Sequence, residues 1–107
     1  MASGALSPID HIALTVSDIE RAVHWYQTSF DCHLVQHERT FAILQFANIR
    51  LHLILPSEAP PHLAFVRADA HTYGELMEQR DGTNSTYLAD PTGNPVELIG
   101  TIHENSR

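Results

Sequence analysis

Tyr87-Leu88-Ala89-Asp90-Pro91-Thr92-Gly93-Asn94-Pro95-Val96-Glu97-Leu98 reads as a β-hairpin, and its parity organises the rest of the chain. Residues 90–94 make the turn, with φ preset at Pro91 and a permissive Gly93. Beyond it the side chains alternate, so Val96 and Leu98 point one way and Glu97 the other. A carboxylate in mid-strand between aliphatic neighbours is poorly explained by packing.

The same alternation recurs upstream. Residues 9–16 read as a strand with Ile12, Leu14 and Val16 on one face and His11 on the other. Ser17 and Glu20 have the spacing of a capping box, with Asp18 in the first turn. Ile19, Ala22, Val23, Tyr26 and Phe30 then recur at helical spacing. Strands are expected at residues 32–37, 41–46 and 50–55. Residues 56–61, rich in proline, cannot continue a strand and form a linker. The pattern then restarts. Residues 62–66 read as a strand, followed by a helix capped by Asp69 that carries Tyr73, Leu76 and Met77. Strands at about 85–89 and 95–100 close the hairpin, and residues 101–107 form a polar tail.

The expected fold is α+β: two tandem βαβββ modules forming a curved, cup-shaped mixed sheet, the second shortened by about one strand. Module one spans 8–55 and module two 62–100 of a single domain, 1–107. A helix after the first strand of each module covers one face, and the other face is left for a concave surface.

Parity then assigns the chemistry. Leu51, Leu53 and Leu55 lie opposite Arg50, His52 and Ile54. Leu63 and Phe65 lie opposite His62, and Val96 and Leu98 opposite Glu97. If the aliphatic faces pack under helices, His11, His52, His62 and Glu97 all enter the concavity. Imidazoles with a carboxylate suit a borderline divalent metal: Zn, Ni, Fe, Mn or Co. Any one of these histidines alone is more simply a structural residue; the coincidence of the four carries the reading. Arg50 shares the inner face and either pairs with an acid at the rim or holds a substrate carboxylate. Tyr87 either packs or donates to a substrate oxyanion. His24, His33, His37, His71 and His103 have no convergent context and belong at the surface, as core or interface packing suits Trp25 and Tyr26. Asp90 belongs to its turn.

Composition narrows the classes. The chain has 107 residues and a formal charge of −7, with six arginines and no lysine, so neither nucleic acid nor an anionic membrane is an expected partner. Cys32 is the sole cysteine, which excludes an intrachain disulfide and a zinc site built on thiolates. No apolar run approaches spanning length, and residues 1–8 lack the marks of a secretion signal, so a cytoplasmic protein is expected. A homodimer is the default for a small acidic chain with exposed sheet edges.

Residues 10–18, the run Ala22 to Tyr26, the stretch Pro61-His62-Leu63-Ala64-Phe65 and the closing hairpin together resemble the vicinal oxygen chelate superfamily. That superfamily groups glyoxalase I, extradiol dioxygenases, fosfomycin-resistance enzymes, methylmalonyl-CoA epimerase and bleomycin-binding proteins. The resemblance spans about Pro8 to Gly100. It implies paired βαβββ modules, metal ligands at His11, His62 and Glu97, and a small-molecule substrate whose vicinal oxygens the metal chelates. His52 stands on the strand where glyoxalase-like members place a further ligand, often Glu or Gln. With histidine there, Glu97 is the one acid left for proton transfer and the candidate catalytic residue. Isomerase, lyase and dioxygenase chemistry all stay open. The alternatives are a metal-free small-molecule or antibiotic-binding module, and a non-catalytic relative whose histidines stabilise a dimer through metal.

Overall fold

A computed structural model describes residues 6–101, including the backbone of Thr101. The expected polar tail and His103 lie, from residue 102 on, outside the described residues. The elements in order are β1 (Ile9–Thr15), α1 (Ile19–Ser29), β2 (His33–His37), β3 (Phe41–Gln45), β4 (Arg50–Ile54), β5 (His62–Val66), a 3₁₀ turn (Ala70–Thr72), β6 (Met77–Glu78), β7 (Asn84–Ala89) and β8 (Pro95–Thr101). The chain is α+β, with two successive runs of four strands. Each strand expected from the sequence is present, with ends shifted by a residue or so.

Contacts divide the chain into two units: His11–Leu63, and the residues up to Asp10 together with those from Ala64 on. In the first unit the strand order is β2-β3-β4-β1. β1 runs parallel to β4, and β3 is antiparallel to both β2 and β4, so the sheet is mixed. Asp18 caps α1 by accepting from the Arg21 amide at 3.0 Å. The cap therefore falls one residue later than the Ser17–Glu20 pattern suggests, because the Asp18 carboxylate itself reaches the third amide of the helix. Ile19 and Val23 of α1 bury against Ala42, Leu44 and Leu53, with Val16, Ala22, Tyr26 and Leu51 around them. Phe30 is not on the helical stripe. It ends the helix in an extended conformation and is half-exposed. The helix lies over β3 and β4. Ile12 is only half-buried and Leu14 exposed, where the sequence pattern expects both under the helix.

The opposite face of this sheet has its own core of Ala13, Phe41, Ile43 and Ile54, with Ala59 packed on it. These residues share parity with His11 and His52, which are themselves buried. The two apolar clusters thus fall on opposite faces, as period-two alternation requires.

In the second unit the order is β5-β8-β7-β6. The helix expected after β5 is reduced to the 3₁₀ turn. The Asp69 side chain makes no capping bond; it takes two hydrogen bonds from Arg67, Nε to Oδ1 at 2.8 Å and Nη2 to Oδ2 at 3.0 Å. Gly74 follows, and a Cβ there would meet Thr86 Oγ1 at 2.5 Å. The segment after the turn hugs β7 too closely for a helix bearing side chains. Met77 is not on a helix but in β6, which is two residues long. Where a helix was expected, this minimal strand pairs with β7. The second module is therefore shortened in its helix and in β6, while keeping four strands.

The closing hairpin is built as read. Oδ1 of Asp90 accepts from the Thr92 and Asn94 amides at 3.0 and 2.9 Å, and Oδ2 accepts from Asn94 Nδ2 at 2.8 Å. Gly93 takes φ of 96°, which side chains disfavour. These bonds, the Asn94 side-chain donor first, hold the Asp90 carboxyl down at about 2.

Candidate functional site

In the first unit three imidazoles gather. β1 and β4 align in parallel with His11 beside Arg50 and Ala13 beside His52. His11 and His52 are thus diagonal neighbours on one face. Their rings stack with centroids 3.5 Å apart and planes 3° from parallel. His62, at the start of β5, presents its ring edge-on to His11, 5.7 Å away at 75°. A ligand nitrogen of His11 lies within 4.8 Å of one on His52, and a ligand nitrogen of His11 lies within 4.8 Å of one on His62.

Tautomers follow from the hydrogen bonds. Nδ1 of His62 lies 2.8 Å from the Pro60 carbonyl. A carbonyl accepts only, so Nδ1 carries the proton and Nε2 the lone pair. That is the usual way a protein presets an imidazole for a metal. The linker prolines expected to break the strand therefore also orient a site residue. The stack constrains His52 differently. Imidazole lone pairs lie in the ring plane, and parallel planes 3.5 Å apart share no in-plane position for one ion. His52 supports the ring of His11 as it stands, and ligation by both at once requires His52 to tilt.

In the second unit Glu97 is buried on β8, directly opposite Tyr87 of β7. Ser85 Oγ donates to Glu97 Oε2 at 2.6 Å. The Tyr87 hydroxyl also donates to Glu97. Desolvation of that hydroxyl, then the charges of Glu97 and Asp81, push the phenol well above its ordinary value, so it remains a donor at all ordinary pH. The structure thereby resolves the facing of Tyr87: it shares a face with Glu97, and its ring is half-exposed. Asp81 accepts from Thr83 through both its amide and its hydroxyl, and its carboxylate approaches that of Asp10 within 4.8 Å.

Arg50 sits opposite Gln45 and donates from Nε to Gln45 Oε1 at 2.8 Å. It stays on the histidine face of β4, at the end nearest His11. His24, His33, His37 and His71 are exposed, as read from the sequence. Sequence reasoning missed Ser85. A serine two positions before Tyr87 on the same strand face was the available signal, but its link to Glu97 depends on cross-strand register.

A sheet protein with gathered imidazoles, one with a fixed tautomer, defines a candidate metal-binding class. The chain belongs to the Glyoxalase/Bleomycin resistance protein/Dioxygenase superfamily, whose family model matches residues 8–77. Members bind small molecules and commonly use a divalent metal. Solved structures share the fold. A hypothetical protein of Bacillus halodurans is 17% identical, with 94% of this chain and 98% of that one covered at a TM-score of 0.73. A methylmalonyl-CoA epimerase of Streptomyces coelicolor is 21% identical, with 89% and 94% covered at 0.70. A protein described as an NAD-dependent benzaldehyde dehydrogenase of Legionella pneumophila is 16% identical, with 82% and 95% covered at 0.61. Such varied names on one fold carry no activity across. Among the described residues no helix is long and apolar enough to cross a membrane.

Proposed function

We propose that this chain is a divalent-metal-dependent enzyme of glyoxalase or dioxygenase type, acting on a small substrate through two neighbouring oxygens. Glu97 joins His11 and His62 as ligands in this reading, with His52 stacked behind His11 and ligating only if it tilts. The donor set suits Zn, Ni, Fe, Mn or Co: neutral imidazoles and a carboxylate, with no thiolate. The observation that carries the reading is the imidazole group of the first unit, with Nδ1 of His62 tied to Pro60. Structural histidines need no such preset nitrogen.

A bound divalent ion would supply Lewis-acid polarisation of the substrate's oxygens. The chain's own residues do the rest. Glu97 is the catalytic group, exchanging a proton with the substrate. Tyr87, held protonated on Glu97, donates to a substrate oxyanion only by giving up that bond, leaving Glu97 held by Ser85. Arg50, with Nε on Gln45, turns its guanidinium to a substrate carboxylate. The domain is one glyoxalase-like unit of function, with modules 8–55 and 62–100, in a cytoplasmic homodimer. The edge strand β2 exposes Leu34 and Val35 and is a surface for self-association.

The test is metal analysis of protein purified without chelator, followed by melting in Zn²⁺, Ni²⁺ or Mn²⁺. A stoichiometric ion is expected, with a melting temperature that rises with metal and falls with chelator. His62→Ala should abolish that dependence. No bound ion, and identical melting of wild type and His62→Ala with and without metal, would sink the proposal in favour of a metal-free binding module.

A further inference from the structure

We infer that Ser85 is the positioning residue for Glu97, fixing its carboxylate for ligation; this rests on the metal-dependent reading above. The geometry is specific. Tyr87 is the residue directly across from Glu97, and Ser85 lies diagonally, its Cα paired with Ile99. The register of the two strands is regular from Ser85 to Ala89, its one shift falling before Ser85, so Ser85 and Tyr87 share the face of Glu97. In that unbroken register the serine hydroxyl lies 2.6 Å from Glu97 Oε2. That separation is in the short range of charge-assisted hydrogen bonds to a carboxylate. Ser85 is wholly buried, so no water can stand in for the hydroxyl without the site opening.

The chemistry gives the bond a purpose. A glutamate has a long, rotatable side chain, and ordering it at the moment of metal capture costs conformational freedom. Anchoring one oxygen beforehand removes most of that cost. Ser85 and Tyr87 use two of the roughly four lone-pair positions of a carboxylate, so ligation by an oxygen is compatible with both bonds. Tyr87 alone is a weaker anchor, since its ring is half-exposed. Thr83 is the internal contrast. It is a second buried hydroxyl on the approach to the same strand, but it donates to Asp81 at 2.6 Å and serves the turn.

The experiment is calorimetric titration of the metal-free protein with Zn²⁺ or Ni²⁺ alone, with melting of each variant recorded alongside. Ser85→Ala should weaken metal binding by about 10–100-fold, the range typical for lost partners of ligating groups. Thr83→Ala should lower the melting temperature yet bind metal as wild type does. Ser85→Thr, which keeps the hydroxyl, should restore most of the affinity. Wild-type affinity in Ser85→Ala, or an equal loss in Thr83→Ala, overturns the inference. If Ser85→Ala fails to fold, Ser85→Cys keeps the volume with a weaker donor: reduced affinity supports the inference and unchanged affinity overturns it. A wild type that binds no metal instead brings down the underlying reading, and the positioning role with it.

Discussion

The first unit covers one face of its sheet with an 11-residue helix, whereas the second places a 3-residue 3₁₀ turn and a close-lying strap at the equivalent point in the chain. The contrast begins at two aspartates. Asp18 directs its carboxylate to a helix amide, and an apolar stripe follows it. Asp69 is engaged by Arg67, which also lies over the Tyr73 ring at 5.2 Å, and Gly74 lets the chain settle against Thr86. The chemistry divides along the same line. The first unit contributes imidazoles from strands backed by apolar cores. The second contributes a carboxylate with two hydroxyl donors on a tightly turned hairpin. A repeated element order thus carries two unlike halves of the proposed machinery.

Three measurements would break or sharpen this comparison. The largest effect is expected in the helix-covered core. Leu53→Ala removes a fully buried side chain beneath α1 and should cost about 2–5 kcal/mol by denaturant unfolding. Gly74→Ala adds one methyl against Thr86 and should cost about 1–3 kcal/mol through overpacking. A free tolerance of Gly74→Ala would show that the strap is not closely packed.

The caps come next. Asp18→Ala should cost about 1 kcal/mol, the usual worth of an N-cap. Asp69→Ala should cost less, since it caps nothing. Equal losses would erase the distinction between the two starts.

The smallest effect is at acid pH. Two carboxyls with lowered values, Asp69 and Asp90, both lie in the second unit. Asp90 is held at about 2 against an ordinary 3.8, chiefly by Asn94. A depressed carboxyl stabilises the fold above its unfolded value, and that contribution is lost as pH falls through its folded value. Asp90→Asn should therefore melt below wild type near neutrality, and its melting recorded between pH 5 and 2 should decline less steeply, so that the two curves converge at acid pH. Parallel curves would remove Asp90 as a source of the acid loss.

Much of this was legible residue by residue. The hairpin could be read because Asp90, Pro91 and Gly93 encode their turn locally, and the helix because its stripe is local too. The helix expected from Asp69 was misread for a matching reason. Its apparent cap and apolar residues are local signals, and two nonlocal facts override them: the pairing of Met77 with Ser85 and the packing of Gly74 on Thr86. The candidate site divides likewise. Parity placed Glu97 opposite Val96 and Leu98, but the link from Ser85 could not be foreseen without the pairing register of β7 on β8.

By itself, then, the amino-acid order determined which side of each strand holds His11, His52, His62 and Glu97, because side chains alternate with a period of two along any strand. Only the tertiary structure decided how those groups meet: the stacking of His52 on His11, the bond from His62 to Pro60, and the serine hydroxyl on Glu97. Faces are a property of one strand, whereas distances depend on the register between strands, which long-range pairing sets.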